Sequence, residues 1–495
     1  MKNFSTNKLK QQLVLAAISA IAVQSTFAAA FNWTNNVAGG ADFTDSPGNW
    51  TNAATPFSTG TPGANDTALN NLAGSTMLIQ SGDSVRVIQL QAGVGAVSIT
   101  GGNLYTTNLQ IVGNGGSISQ SGGVVTNIGD ARISLPNGTW NVSGGSFYLN
   151  KLVLGANAGT VNANMTISGS GQVFQNQPFL ATGTLQDQLW IGGNNGGSGS
   201  LLLKDNSTWV NTSTALNDGS ANPTIVVGNN STGQGTFTIQ DNATFIATNV
   251  IQVAQNSGNV GTVNLNGGTV NVNGFSKKAG TGTINFNGGT FKAQIDTNNI
   301  FSNFGGIGGN NSVNLLAGGM KIDSAGHSIG ITNVLSGIGG LTKSGLGTLT
   351  LTGISTYTSN TIVNAGTLTL ADNAGLKFVI GANGINNMID GFGTLNLLGD
   401  FTFDLSGAST TAGDSWLIVN VGSLTVNFDA LFSVNGFTEN NNVWTSGAFQ
   451  FNESDGKLSV IPEPTTMALA SVGGGILLLV FRQRGRKGEN CSKKH

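Results

Sequence analysis

Through most of the chain, apolar and polar residues alternate in short runs, and each run ends at Gly, Asn, Asp or Ser. The segments KDNSTWVNTS from Lys204 and QDNATFIATN from Gln240 resemble each other, as do NLNGGTVNVN from Asn264 and NFNGGTFKAQ from Asn285. Alternation at period two, broken by N-G-G or D-N turns, predicts strands. A Gly, a Ser or Thr and an apolar residue open one unit after another: Gly199-Ser200-Leu201, Gly235-Thr236-Phe237, Gly261-Thr262-Val263 and Gly282-Thr283-Ile284, at intervals of 36, 26 and 21 residues. Drifting periods of this size predict coils of one stacked object. A meander of hairpins has the same local pattern, but serial repetition favours a parallel β-helix, in which like residues stack over like.

The pattern breaks at both ends. Lys2, Lys8 and Lys10 precede an apolar stretch at 13–23 and then Ala28-Ala29-Ala30, the order of a secretory signal peptide, here 1–30. The repeat region is expected over 31–395, with 371–395 as its last irregular coil. From 396 to 460 the runs lengthen and carry Trp416 and Trp444, which predicts a small antiparallel β cap or sandwich. Residues 465–481 are uncharged and followed by Arg482, Arg484, Arg486 and Lys487, so a single C-terminal membrane helix with a cytoplasmic stub at 488–495 is expected.

Composition sharpens this picture. With 75 Gly and only 8% charged residues among 495, large side chains cannot fill a wide core, yet 39% hydrophobic content is too high for disorder. Of the 20 basic residues nine lie in the two flanks, and of the 22 acidic residues two do, so 31–461 carries a net charge of −9. That balance argues against nucleic acid as a partner. The one cysteine, Cys491, lies beyond the expected membrane helix, so backbone pairing rather than disulfides must stabilise the body.

Two stretches carry family resemblances. GGLTKSGLGTLTLTGISTYTSNTIVNAGTLTL, 339–370, resembles the autotransporter-associated β-strand repeat, with Gly339, Leu341, Lys343, Gly345, Gly347, Thr348, Leu349, Gly366, Thr367 and Leu368 at the pattern's positions. Ser355 and Ser359 replace its Asn and Gly. The resemblance implies an all-β chain folded as a right-handed parallel β-helix of the passenger type. Residues 461–487, with Pro462-Glu463-Pro464 ahead of the apolar run and basic cluster, resemble the PEP-CTERM sorting tail of Gram-negative bacteria. That resemblance implies processing by an exosortase-type enzyme, membrane tethering of the precursor, and delivery to the outer surface or extracellular matrix.

Candidate chemistry is sparse. His327 is the one histidine of the body, without a G-x-S-x-G elbow, and reads as a turn or outward residue; no His and Cys set for zinc exists, and no cofactor is expected. Asp205 and Asp241 recur at equivalent places, with Lys204 beside one. They fit either a glycosidase or lyase pair or the recurring Asx-turn of a recurring coil, and the turn is preferred. Trp33 and Trp50 fit either sugar stacking or a plug for the open end, and the plug is preferred. The expectation is a non-enzymatic surface adhesin or scaffold, associated with exopolysaccharide; a glycan-active enzyme and a carbohydrate-binding module are the alternatives.

Overall fold

A computed structural model describes residues 30–33, 41–44, 50–52, 62–156, 162–175, 188–193, 196–211, 225–230, 232–305 and 312–461. Within them the regular structure is β, and no helix is long and apolar enough to cross a membrane. The expected signal peptide, the Pro462-Glu463-Pro464 tripeptide, the membrane helix at 465–481 and the basic cluster lie outside the described residues.

Strands pair in parallel with strands of the next coil. Val97, Ile118, Trp140, Met165, Leu201, Phe237, Val263, Ile284 and Val313 form one continuous register column, and all are buried. Successive members of the column up to Ile284 lie 21, 22, 25, 36, 36, 26 and 21 residues apart, so the drifting sequence period is the coil length. The openers expected to stack do so: Gly199 pairs with Gly235, Gly235 with Gly261, and Gly261 with Gly282. Glycine is required there by close approach, since a Cβ on Gly235 would stand 2.2 Å from the Ile191 carbonyl oxygen.

Each early coil uses three strand directions. Ala96–Ile99 is one face, and Asn103–Ile111 bends across two more. Its pairing with Val124–Ile133 shifts register between Asn127 and Ala131, which marks the corner. Side chains alternate strictly: in Val124–Ile133 every second residue is buried. Inside, aromatics meet across the width of a coil, with Trp140 stacked on Phe147 at 5.1 Å and Phe237 edge-on to Phe245 at 4.9 Å. Burying such a side chain stabilises by about 1.5–3 kcal/mol, and this repeated gain replaces the wide core that the composition lacks. Outside, Asn314 donates to Asn285 and Asn285 to Asn264, both at 2.9 Å.

The ends differ from the middle. Ala30–Trp33 pairs antiparallel with Trp50–Asn52 and parallel with Thr67–Asn70, and Trp33 is buried. At the other end the parallel ladder runs beyond the boundary expected at 395. Thr394–Leu397 pairs with Thr425–Phe428, and Asp400–Asp404 with Ser433–Val434, so 371–395 is not the last coil. The run NLLGDFTFDLS alternates in a way that a parallel rung and an antiparallel cap strand share, so the pattern could not separate them. The antiparallel sheet is confined to Ser415–Leu417, Thr438–Asn440, Val443–Ser446, Phe449–Asn452 and Lys457–Val460. Its Phe451 lies 6.0 Å from Phe401 and 6.3 Å from Phe432, closing the apolar end of the stack.

Candidate functional site

The repeat motif is a built site. The alternation Leu341, Thr342, Lys343 puts Lys343 on the inner side, between Ile322 and Val363 in register, and it is fully buried. A buried ammonium must be satisfied by acceptors. Lys343 Nζ donates to the carbonyl oxygens of Ser344 at 2.9 Å, Gly345 at 2.7 Å and Ala365 at 3.0 Å. The first two belong to its own turn and the third to the turn of the next coil. Burial pushes its pKa down to about 8, with Asp323 pulling the other way.

The motif glycines surround this clasp. Gly345, Gly347 and Gly366 have φ of 71°, 95° and 68°, the left-handed region. A Cβ on Gly366 would stand 2.4 Å from the Gly347 carbonyl oxygen and 2.8 Å from Lys343 Nζ. Beyond the turn, Thr348 and Leu349 pair with Thr367 and Leu368, hydroxyls outward and leucines in the core. Leu341 pairs with Thr361, whose Oγ1 lies 2.5 Å from the Tyr357 hydroxyl. Tyr357 is buried, and burial raises its phenol to about 12. Gly339 meets the preceding coil so closely that a Cβ would lie 2.0 Å from the Leu316 carbonyl oxygen. The motif residues are therefore those that let two turns approach and be joined. What this arrangement does chemically is hold coils in register.

The other candidate residues fall at separate places. Asp205 and Asp241 stand at stacked turns, both in the left-handed region at φ of 59° and 57°. Asp205 Oδ2 accepts from the Gly169 N–H at 2.9 Å, and Asp241 Oδ2 from the Asp205 N–H at 3.2 Å. Each carboxylate caps the turn of the preceding coil. His327 Nδ1 lies 3.1 Å from Asp296 Oδ1, which also accepts from the Ser328 N–H at 3.0 Å. These bonds hold the Asp296 carboxyl below its usual range, the backbone bond most of all. Trp33 faces the interior and offers no ring face to a sugar. Outward aromatics do occur: Tyr105, Tyr148 and Phe174 are half-buried, and Tyr148 stacks on Phe174 at 5.1 Å and 18°, so these two rings use faces on each other. Among the described residues no group of three or more His, Cys, Asp or Glu could hold a metal ion.

Sequence reading missed the ionic group Asp130, Arg132 and Lys151. Arg132 Nη2 donates to Asp130 Oδ2, and Lys151 Nζ lies 3.3 Å from Asp130 Oδ1. The available signal was two cations and an acid on the outer positions of neighbouring coils, which becomes visible only once the register is known.

Comparison with protein families agrees with the local geometry. The family model for the passenger-associated-transport-repeat, an autotransporter-type repeat, matches residues 341–370. The match begins at Leu341 and ends at Leu370, spanning the clasp and its two stacked Thr-Leu-Thr-Leu strands. No curated protein and no solved structure matches the chain. The repeat suggests an exported surface or passenger domain.

Proposed function

We propose that this chain is a non-enzymatic scaffold or adhesin of the bacterial outer surface or extracellular matrix. The observation that carries the reading is the autotransporter-type repeat at 341–370, embedded in a continuous stack of parallel coils. Outer positions of those coils bear Thr, Asn and Ser, as in the column Thr236, Thr262, Thr283 and Ser312, a long polar face suited to repeated weak contacts. The coil is taken as right-handed, after the passenger family. Export begins at the signal peptide, 465–481 tethers the precursor, and an exosortase-type enzyme acts at Pro462-Glu463-Pro464. The prolines favour an extended segment suited to a protease cleft.

Replacing Pro462, Glu463 and Pro464 together by Ala tests the sorting step. Full-length precursor should then accumulate in the inner membrane while the native chain reaches the surface. Unchanged processing and surface exposure of the variant would overturn it. A glycosidase or lyase on the same coil is the competing class, and the backbone capping by Asp205 and Asp241 favours the non-enzymatic reading. New reducing or unsaturated ends from a polysaccharide panel would reverse that preference.

A further inference from the structure

We propose that the outer face around Arg132, Lys151 and Trp190 binds a carboxylate-bearing sugar of an acidic polysaccharide. The proposal deepens the surface-scaffold reading and rests on it only in taking the ligand to be a glycan.

The register assembles the site. Gln91, Gln110, Arg132, Val153 and Trp190 are consecutive partners on the outer side of five coils, and Asp130 pairs with Lys151 beside them. Four strand steps span roughly 19 Å, the length of a short oligosaccharide. At one end Gln110 Oε1 accepts from Gln89 Nε2 at 2.9 Å and Gln91 Nε2 at 3.4 Å, and Asn108 Oδ1 accepts from the Asp130 N–H at 3.2 Å. Amides of this kind match sugar hydroxyls. At the other end Lys151 Nζ stands 5.4 Å from the centre of the Trp190 ring. Trp190 belongs to a second apolar cluster with Val153, Ala156 and Val226, on the outer side of the coil and apart from the main core. Its Nε1 is buried without a hydrogen-bond acceptor.

Charge selects the ligand. One carboxylate, Asp130, faces two cations, so the group carries a net positive charge in a body of net −9. The Arg132, Asp130 and Lys151 side chains keep 34%, 21% and 23% of their surface, so the cations are half withdrawn from water yet reachable. Arg132 Nε is buried without a hydrogen-bond acceptor. Burial lowers the pKa of both cations, and for Lys151 the Arg132 charge adds to it, the condition a second carboxylate would relieve. A planar guanidinium and an ammonium, both partly exposed and beside amides, suit the carboxylate of a sugar better than a bare inorganic ion.

The test uses the full chain in mild detergent, titrated calorimetrically with a galacturonate oligomer, a neutral glucan oligomer of equal length, and poly-glutamate. The galacturonate oligomer should bind, with the other two at least about tenfold weaker. Arg132→Gln and Lys151→Gln should each weaken galacturonate binding about tenfold or more, while Lys204→Gln on another face leaves it unchanged. Lys151→Gln keeps the Arg132 to Asp130 pair, so it reads binding even where Arg132→Gln disturbs the fold. Absence of galacturonate binding, equal binding by Lys151→Gln, or equal binding of poly-glutamate would overturn the site. None of these outcomes bears on sorting, which the tripeptide variant tests separately.

Discussion

Lys343 and Ala365 are joined across two coils: the Lys343 ammonium, buried in the core line, donates to the Ala365 carbonyl oxygen at 3.0 Å. The same nitrogen satisfies Ser344 and Gly345 of its own turn. Lys343→Met keeps the volume and removes the donors: the Ala365 carbonyl oxygen loses its bond to the preceding coil, while that of Ser344 keeps the Ser324 N–H at 3.1 Å. The cost should be about 1–3 kcal/mol, concentrated in this part of the stack because coils touch only their neighbours. Chemical denaturation compared with hydrogen exchange at 341–370 reads it, and an unchanged midpoint with unchanged exchange would show that the clasp holds nothing.

The same lysine gives a pH dependence of definite sign. Desolvation sets its native pKa at about 8, below the ordinary 10.5. Between those values the unfolded chain binds more protons than the native one, so stability rises with pH across that window. The neutral amine still has two N–H donors, so two of its three carbonyl bonds survive the loss of the proton. The melting temperature of the native chain should climb from pH 8 towards 10, and that of Lys343→Met should climb less. Parallel profiles would remove Lys343 as the source.

Tyr357 has the opposite sign. Its phenol is held protonated up to about 12 by burial, while the unfolded phenol ionises near 10.0, so its contribution is lost as pH rises from about 10 to 12. Ultraviolet titration should find one of the chain's three tyrosines ionising late or together with unfolding. Tyr357→Phe should abolish that late step and cost about 0.5–1.5 kcal/mol through the lost Thr361 bond. A late step that persists in the variant would belong to another residue.

How far these features could be read beforehand depends on which link of the chain they occupy. The stacked openers at Gly199, Gly235, Gly261 and Gly282 were legible because parallel register preserves sequence likeness directly. The repeat at 341–370 was legible because Gly345, Gly347 and Gly366 are imposed by backbone geometry that few other residues meet. Its purpose was not: Lys343 looks like any lysine until alternation is combined with the neighbouring coil that supplies Ala365. The end of the solenoid was misplaced because Thr394–Leu397 and Val443–Ser446 carry similar alternation, and only the partner strand decides between parallel and antiparallel. The Asp130, Arg132 and Lys151 group escaped for a related reason, since Asp130 and Lys151 become neighbours through register and not through spacing.

Gly347 tests the geometry of the turn itself. Its φ is 95°, and a Cβ there would stand 2.3 Å from the His327 carbonyl oxygen of the preceding coil. Gly347→Ala adds one carbon and should cost about 1–3 kcal/mol, more than an ordinary exposed Gly to Ala change, which stabilises. Gly413→Ala is the comparison, for its φ of 94° is similar but nothing lies within 4 Å of the added carbon. A larger loss at Gly347 than at Gly413 isolates the collision from the backbone strain. Equal losses would mean that the coils have room to part.

Asp241 separates a turn from a catalyst. Asp241 Oδ2 accepts from the Asp205 N–H at 3.2 Å while its own backbone sits at φ of 57°. Asparagine tolerates that conformation and supplies an amide oxygen to the same N–H, so Asp241→Asn should change stability by under about 0.5 kcal/mol. Alanine does neither, so Asp241→Ala should cost about 1–2 kcal/mol. A carboxylate that acts as an acid, base or nucleophile has the reverse profile, because the amide cannot replace it in any of those roles. Melting curves and the polysaccharide assay on both variants therefore decide together. Stability lost only in Asp241→Ala, with no glycan cleavage lost in Asp241→Asn, places this carboxylate in the fold; cleavage abolished by Asp241→Asn at native stability would place it in an active site.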